Sequence, residues 1–192
     1  MGKNYFEEEQ FDGKKIPVNT LEKGSYELCS FLNCDFSNRD LSHFEFTDCV
    51  FEGCNLSMVK VINTSFNDIR FKDCKMLGIN FEHCNAFLLR VGFDHCTLNF
   101  SSFYKTALKK TNFNTCILQE VDFTETDLTG SVFDNCDLTG AKFENTLLEK
   151  ADFRTAYRYS INPEINRVKK ARFSLPGIIG LLEKYDIDIQ AQ

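Results

Sequence analysis

With 192 residues and a formal charge of −6, the chain has room for one ordinary domain or a short repeat array, and its negative balance argues against nucleic-acid or anionic-membrane binding through overall charge. Twenty Phe without a Trp, and nine Cys, are the two compositional oddities; an odd cysteine number weighs against a disulfide framework and for reduced thiols.

The first ten residues, MGKNYFEEEQ, contain no apolar core, so no secretory signal is expected. Phe6 breaks the myristoylation pattern, and no apolar run approaches the ~18 residues of a membrane span. The chain therefore reads as soluble and cytoplasmic, with no membrane contact. Tyr5 and Phe6 are the only large apolar anchors ahead of Phe11. Phe11, Ile16 and Leu21 then introduce a spacing of five, and residues 1–25 are read as an N-terminal cap with an irregular first coil.

From Tyr26 the step of five is sustained: Phe31, Phe36, Leu41, Phe46, Phe51, Leu56, Val61, Phe66, Phe71, Met76 and Phe81. The phase slips by two residues between Phe81 and Leu88. From Phe93 to Phe153, Phe and Leu alternate every five residues without a break, and the phase continues weakly through Val168 to Phe173. A helix period of about 3.6 or a strand period of about 2 cannot hold such a pattern. Two residues before each centre stands a small or thiol residue (Thr126, Ser131, Cys136, Ala141). One before it is often Asp or Asn (Asp122, Asp127, Asp137, Asp152), and one after it is usually polar (Thr124, Thr129, Asp134, Thr139).

This small–Asp/Asn–Leu/Phe–polar–any pattern resembles the pentapeptide-repeat family over residues 26–173. The resemblance implies an all-β chain, a right-handed quadrilateral parallel β-helix with four pentapeptides per coil and about seven to eight coils. Residues twenty apart should then stack. One such column, allowing for the slip, is Phe11, Phe31, Phe51, Phe71, Phe93, Phe113, Phe133, Phe153 and Phe173, all Phe. Gly130 and Gly140, at the last repeat position, suit corners that need a positive φ.

All nine cysteines keep the step, eight of them two residues before a large apolar centre and Cys84 just ahead of the slip, and Cys34, Cys54, Cys74, Cys96, Cys116 and Cys136 form one inward column. A metal or disulfide ladder is one reading, a buried small hydrophobe once per coil the other. Geometry favours the second. In-register Cβ atoms stay near the ~4.8 Å coil spacing, beyond the ~3.8 Å of a disulfide, and a straight row cannot surround a zinc ion tetrahedrally. His83 and His95 adjoin Cys84 and Cys96 but should point outward while the thiols point in, and His43 takes the same outward slot. No metal site, cofactor or catalytic residue is expected.

Residues 120–152 gather Glu120, Asp122, Glu125, Asp127, Asp134, Asp137, Glu144, Glu149 and Asp152 against Lys142 and Lys150 alone. This is read either as a solvated wall or as an acidic surface for a basic partner. Residues 88–119 lean basic. Residues 174–192 are read as a capping helix and tail. Ser174 suits an N-cap and Pro176 the first turn, Ile178, Leu181, Leu182 and Tyr185 make one apolar stripe, and a short strand is expected over 186–190.

The best-known relatives are the Qnr-type quinolone-resistance proteins and the immunity protein against a gyrase-poisoning microcin. The resemblance to them implies a DNA-mimicking binder of DNA gyrase or topoisomerase IV, homodimeric through its C-terminal stripe. The long loops that project from many Qnr-type coils are represented here only by the two-residue slip. The alternative is a non-catalytic scaffold for another protein.

Overall fold

The computed structural model describes residues 4–14 and 21–190, so Ile16 lies outside the described residues. The chain winds as a right-handed, four-sided β-helix whose coils pair in parallel. Each side is one pentapeptide. The centre points to the axis, and its carbonyl accepts a hydrogen bond from the amide three residues on, as in Thr126 to Phe123 (3.1 Å) and Ser131 to Leu128 (3.0 Å). That bond closes a β-turn, so the chain changes direction every five residues.

The first face carries β2 (Gln10–Asp12), β4 (Ser30–Leu32), β6 (Val50–Glu52), part of β7 (Ser65–Lys72) and β8 (Leu89–Asp94), β9 (Asn112–Asn114) and β10 (Val132–Asp134). Its register sets Phe11, Phe31, Phe51, Phe71, Phe93, Phe113 and Phe133 directly over one another. The fourth face carries β1 (Asn4–Glu7), β3 (Gly24–Glu27), β5 (Glu45–Thr47) and the start of β7. Regular winding therefore already holds the residues flanking Phe6 and Phe11, ahead of Tyr26. The second and third faces are joined by single bridges such as Ile117 to Asp137 and Ser102 to Asp122.

Stacked rings fill the axis. Along the first face, ring centroids lie 4.6 Å apart from Phe31 to Phe51, 4.8 Å from Phe113 to Phe133 and 5.5 Å from Phe153 to Phe173. Each ring also meets a neighbouring column edge-on, as Phe123 meets Phe133 at 5.9 Å and 85°. The partner column changes along the rod. Early coils set Tyr26, Phe46 and Phe66 on the fourth face, whereas later ones set Phe81, Phe103, Phe123 and Phe143 on the third. From Phe51 to Leu148 each layer keeps two aromatic rings and two non-aromatic side chains (Leu, Val or Met), so the number of large rings per cross-section is constant.

The phase slip sits one residue later than the sequence suggests. Leu89, not Leu88, stacks on Phe66, and Leu88 is exposed. A 3₁₀ turn at Ala86–Leu88 adds three residues, and a bulge opposite Asn67 and Asp68 takes one back, leaving a net slip of two. The turn lifts Phe87 clear of the rod, 96% exposed.

At the C-terminal end, the Ser174 hydroxyl accepts from the Gly177 amide at 3.2 Å, ahead of 3₁₀ turns and a single α-helical turn, α1 (Ile179–Leu182). The strand expected over 186–190 does not form: Asp186 takes a left-handed conformation (φ 49°), and residues 187–190 pair with no coil edge.

Replacing Phe123 by Ala removes a fully buried ring that stacks on Phe103 and Phe143 and meets Phe113 and Phe133 edge-on, and is expected to cost ~3–5 kcal/mol in urea unfolding. At about 1 M salt, Phe87→Ala should change the unfolding free energy by no more than ~0.5 kcal/mol, because no residue of its own chain buries that ring. Equal losses from the two variants would contradict this account of the core.

Candidate interaction surface

The inward position two residues before each centre proves chemically specific. Its side chain donates to the carbonyl of a centre in the preceding coil: Thr126 Oγ1 to Phe103 (2.7 Å), Ser131 Oγ to Leu108 (2.6 Å), Thr146 Oγ1 to Phe123 (2.9 Å). The thiols do the same, Cys54 Sγ to Phe31 (3.2 Å) and Cys136 Sγ to Phe113 (3.4 Å). A residue here must be small and, in most coils, a donor; Cys meets both needs. Smallness was legible in the sequence, but the acceptor twenty-three residues away was not.

All nine cysteines are free and buried. Burial pushes the Cys49 thiol up to about 12. The thiol contact with Cys54, with burial, takes Cys74 up to about 12, and contact with Cys74, with burial, raises Cys96 further. Cys34, at the open end of the column, is lowered by the hydrogen bond from Cys54. Among the described residues no group of His, Cys, Asp and Glu is placed to hold a metal ion. His43 and His95 stand at left-handed corners on the outside.

The nine acidic residues do not form one wall. Asp134 and Asp152 lie on the first face, Asp137 on the second with Glu120 at the next corner, Asp122, Glu125 and Glu144 on the third, and Asp127 and Glu149 on the fourth. The aspartates preceding a centre are part of the turn. Asp122, Asp127, Asp137 and Asp152 each accept the amide two residues on, at 2.9, 3.1, 3.1 and 3.2 Å. Several are also neutralised: Asp127 by Lys109 (3.2 Å), Asp152 by Arg154 (2.8 Å) and Glu125 by Lys105 (3.5 Å).

Asp137 is buried. It accepts from the Thr139 hydroxyl (2.6 Å) and from Gln119 Nε2 (2.9 Å), with Arg158 at 3.3 Å. Burial alone would raise its carboxyl, but the Thr139 and Gln119 hydrogen bonds and Arg158 outweigh it and hold the group below the usual range. Asp127 is lowered in the same way by Thr129 and Lys109. Of the nine, Glu120, Asp122, Asp134, Glu144 and Glu149 make no ion pair among the described residues, and three of these, Glu120, Asp122 and Glu144, share the third face and its leading corner.

The predicted C-terminal stripe also divides. Leu181 packs on the core and Leu182 is half-buried, so both belong to the cap. Ile178 and Tyr185 remain exposed, joined by Leu175 and Ile179, which the helical spacing had not singled out. The cause is that the helix is one turn long and flanked by 3₁₀ turns, which rotate the side chains off the ideal spacing.

A solid rod of stacked pentapeptides, with small donors inside and polar corners outside, defines a class. The family model for pentapeptide repeat regions matches residues 25–86 and 80–154, and the chain belongs to that family. No curated protein matches the sequence at a significant level. Among solved structures, full-length QnrB1, a plasmid-mediated fluoroquinolone resistance protein, is 22% identical, with 96% of this chain and 100% of that chain covered and a TM-score of 0.45. HetL, a pentapeptide repeat protein involved in heterocyst differentiation regulation in the cyanobacterium Nostoc sp. strain PCC 7120, is 12% identical over 90% of this chain and 85% of its own, with a TM-score of 0.44.

The nine thiols should resist a water-soluble disulfide reagent in the native protein and all titrate in denaturant; several reacting natively would mean that the column is open. The lowered aspartates add stability that is full above the unfolded carboxylate value of ~3.9 and is lost as pH falls through their lower folded values. Urea midpoints should therefore hold steady down to about pH 5 and drop below about pH 4, and Asp137→Ala should cost ~1–3 kcal/mol at neutral pH with a shallower acid limb.

Proposed function

We propose that this protein is a non-catalytic, rigid binding rod of the cytoplasm whose partner is a type II topoisomerase, DNA gyrase or topoisomerase IV, engaged without direct contact to nucleic acid. The observation that carries this reading is the third-face group of Glu120, Asp122 and Glu144, with Glu125 beside them held by Lys105 at 3.5 Å. Glu120, Asp122 and Glu125 stand on one coil and Glu144 on the next, ~4.8 Å away, on a scaffold that cannot collapse around them. Fixed anionic groups on a stiff rod suit a basic groove built for duplex phosphates, because nothing needs reordering on contact. The axis itself is filled by stacked side chains, so whatever the rod binds meets its outer surface.

The same reading makes the protein a homodimer through its C-terminal end, where Leu175, Ile178, Ile179 and Tyr185 stand exposed. A second reading, a scaffold for a different protein, is favoured by another corner. Met58 and Phe100 lie 59% and 66% exposed at the junction of the second and third faces, an apolar ridge that phosphate mimicry does not use.

Purified protein at about micromolar concentration is expected to inhibit gyrase supercoiling or to restore it in the presence of a fluoroquinolone, and to lose the effect as salt rises. Glu120→Lys, Glu125→Lys and Glu144→Lys together should abolish it. A wild type with no effect in either assay removes the topoisomerase reading and leaves the scaffold. For the end contact, Leu175→Asp with Ile179→Asp should halve the mass measured by light scattering at about 1 M salt, where charge contacts are screened; an unchanged mass would sink it.

A further inference from the structure

Along the corner between the fourth and first faces, the charge changes sign halfway up the rod. Before the Ala86–Leu88 turn, successive coils place Glu8, Leu28, Asp48 and Asp68 there. After it come Lys110, Gly130, Lys150 and Lys170. All eight take a positive φ, so they point outward from equivalent turns. In the slot beside the corner, Glu27 next to Leu28 adds to the acidic half and Lys169 next to Lys170 to the basic half, while Glu149 next to Lys150 offsets part of it. Asp68 is matched within the chain by Arg90 (2.7 Å) and Lys109 by Asp127 (3.2 Å). Among the described residues Glu8, Asp48, Lys110, Lys150 and Lys170 make no ion pair. At the level of the reversal Phe87, 96% exposed, projects from the fourth face just ahead of Leu89, beside a groove of about 850 Å³ that reaches the corner and is lined by Asp48, Asp68, Arg90, Lys109 and Lys110.

We propose that this corner is the interface of an antiparallel, two-fold homodimer, so that its occupant is a second copy of the same chain. A two-fold axis perpendicular to the rod at the level of Phe87 sets the four levels before the turn against the four after it. Asp68 then faces Lys110, Asp48 faces Gly130 with Lys110 and Lys150 one coil to either side, Glu27 faces Lys150, and Glu8 faces Lys170. Each pairing occurs twice, as an isologous interface requires. The two copies of Phe87 meet at the axis, each entering the other's groove, an aromatic anchor with a charged rim.

The alternation selects this partner. A polyanion would satisfy the lysine half and be repelled by the acidic half, and a basic surface would do the reverse. Only a partner whose charge reverses over the same distance satisfies both halves, and an antiparallel second copy does so. The interface involves neither the third-face carboxylates nor the C-terminal end, so it stands apart from both.

The test uses the burial of the nine natural thiols. Phe87→Cys places one accessible thiol at the axis, where it meets itself, and mild oxidation is expected to give a covalent dimer on a non-reducing gel. Leu28→Cys is the control, because its level faces Lys150 and not itself. A dimer joined only at the C-terminal ends would hold its two residue-87 positions at least ~38 Å apart, eight coil spacings, and would not cross-link there. Lys110→Glu with Lys170→Glu should slow the Phe87→Cys reaction about tenfold or more, and adding Glu8→Lys with Asp68→Lys should restore it. In sedimentation, the wild-type mass should fall between about 0.01 M and about 1 M salt, as the screening length shrinks from ~30 to ~3 Å, and Phe87→Ser should lower it at low salt. Cross-linking no faster at 87 than at 28, no response to charge reversal, or a wild-type mass independent of salt would overturn the proposal.

Discussion

A coil closes on itself only if four large side chains fill the axis while the residue two before each of them takes up almost no room. That volume constraint underlies the structure. It sets the five-residue step, because a turn must come after every centre, and it fixes which residues are small. It also fixes which of them are donors, since the small side chain lies over the carbonyl of a centre in the preceding coil, as Thr126 lies over Phe103. The exchange of aromatic and aliphatic columns near Phe81 obeys the same rule, for the number of large rings per layer is conserved while their arrangement is not.

Filling the axis leaves the interior to packing, so grooves lie on the outside of the rod. Chemistry that looks available in the sequence is consumed by architecture. The thiol of Cys136 is a hydrogen-bond donor between coils. The carboxylate of Asp137 fastens its own turn and a neighbouring glutamine. What is left for function is the outside, where each corner delivers one side chain per coil at constant spacing. Such a rod is a ruler for charge, and the pattern of charge along each edge carries the information a partner would read.

The core and its columns were legible because a period of five has one structural solution and because every member of the Phe column occupies the same environment. The surface was less legible for a definite reason. Sequence neighbours in this fold sit on different faces, so the acidic run over 120–152 is dense along the chain yet spread around all four sides. Its density says nothing about which carboxylates share a face, which are tied into turns and which are matched by a lysine or arginine one coil away, as Asp127 is by Lys109. Leu88 illustrates a subtler limit. Counting fives leads to it, but the 3₁₀ turn and the bulge divide the slip unequally and bring Leu89 inward instead.

By itself, the sequence determined the repeat, the inward positions, the burial of the cysteines and the family, because each rests on side-chain size repeated at one spacing. Only the tertiary structure decided what stands together outside. It dispersed the acidic run, buried Asp137, divided the C-terminal stripe into cap and exposed end, and raised Phe87 from the fourth face beside a corner where acid gives way to base. The physical reason is that inward side chains are constrained locally, by the volume of their own layer, whereas outward ones acquire their surroundings from coils some twenty residues away.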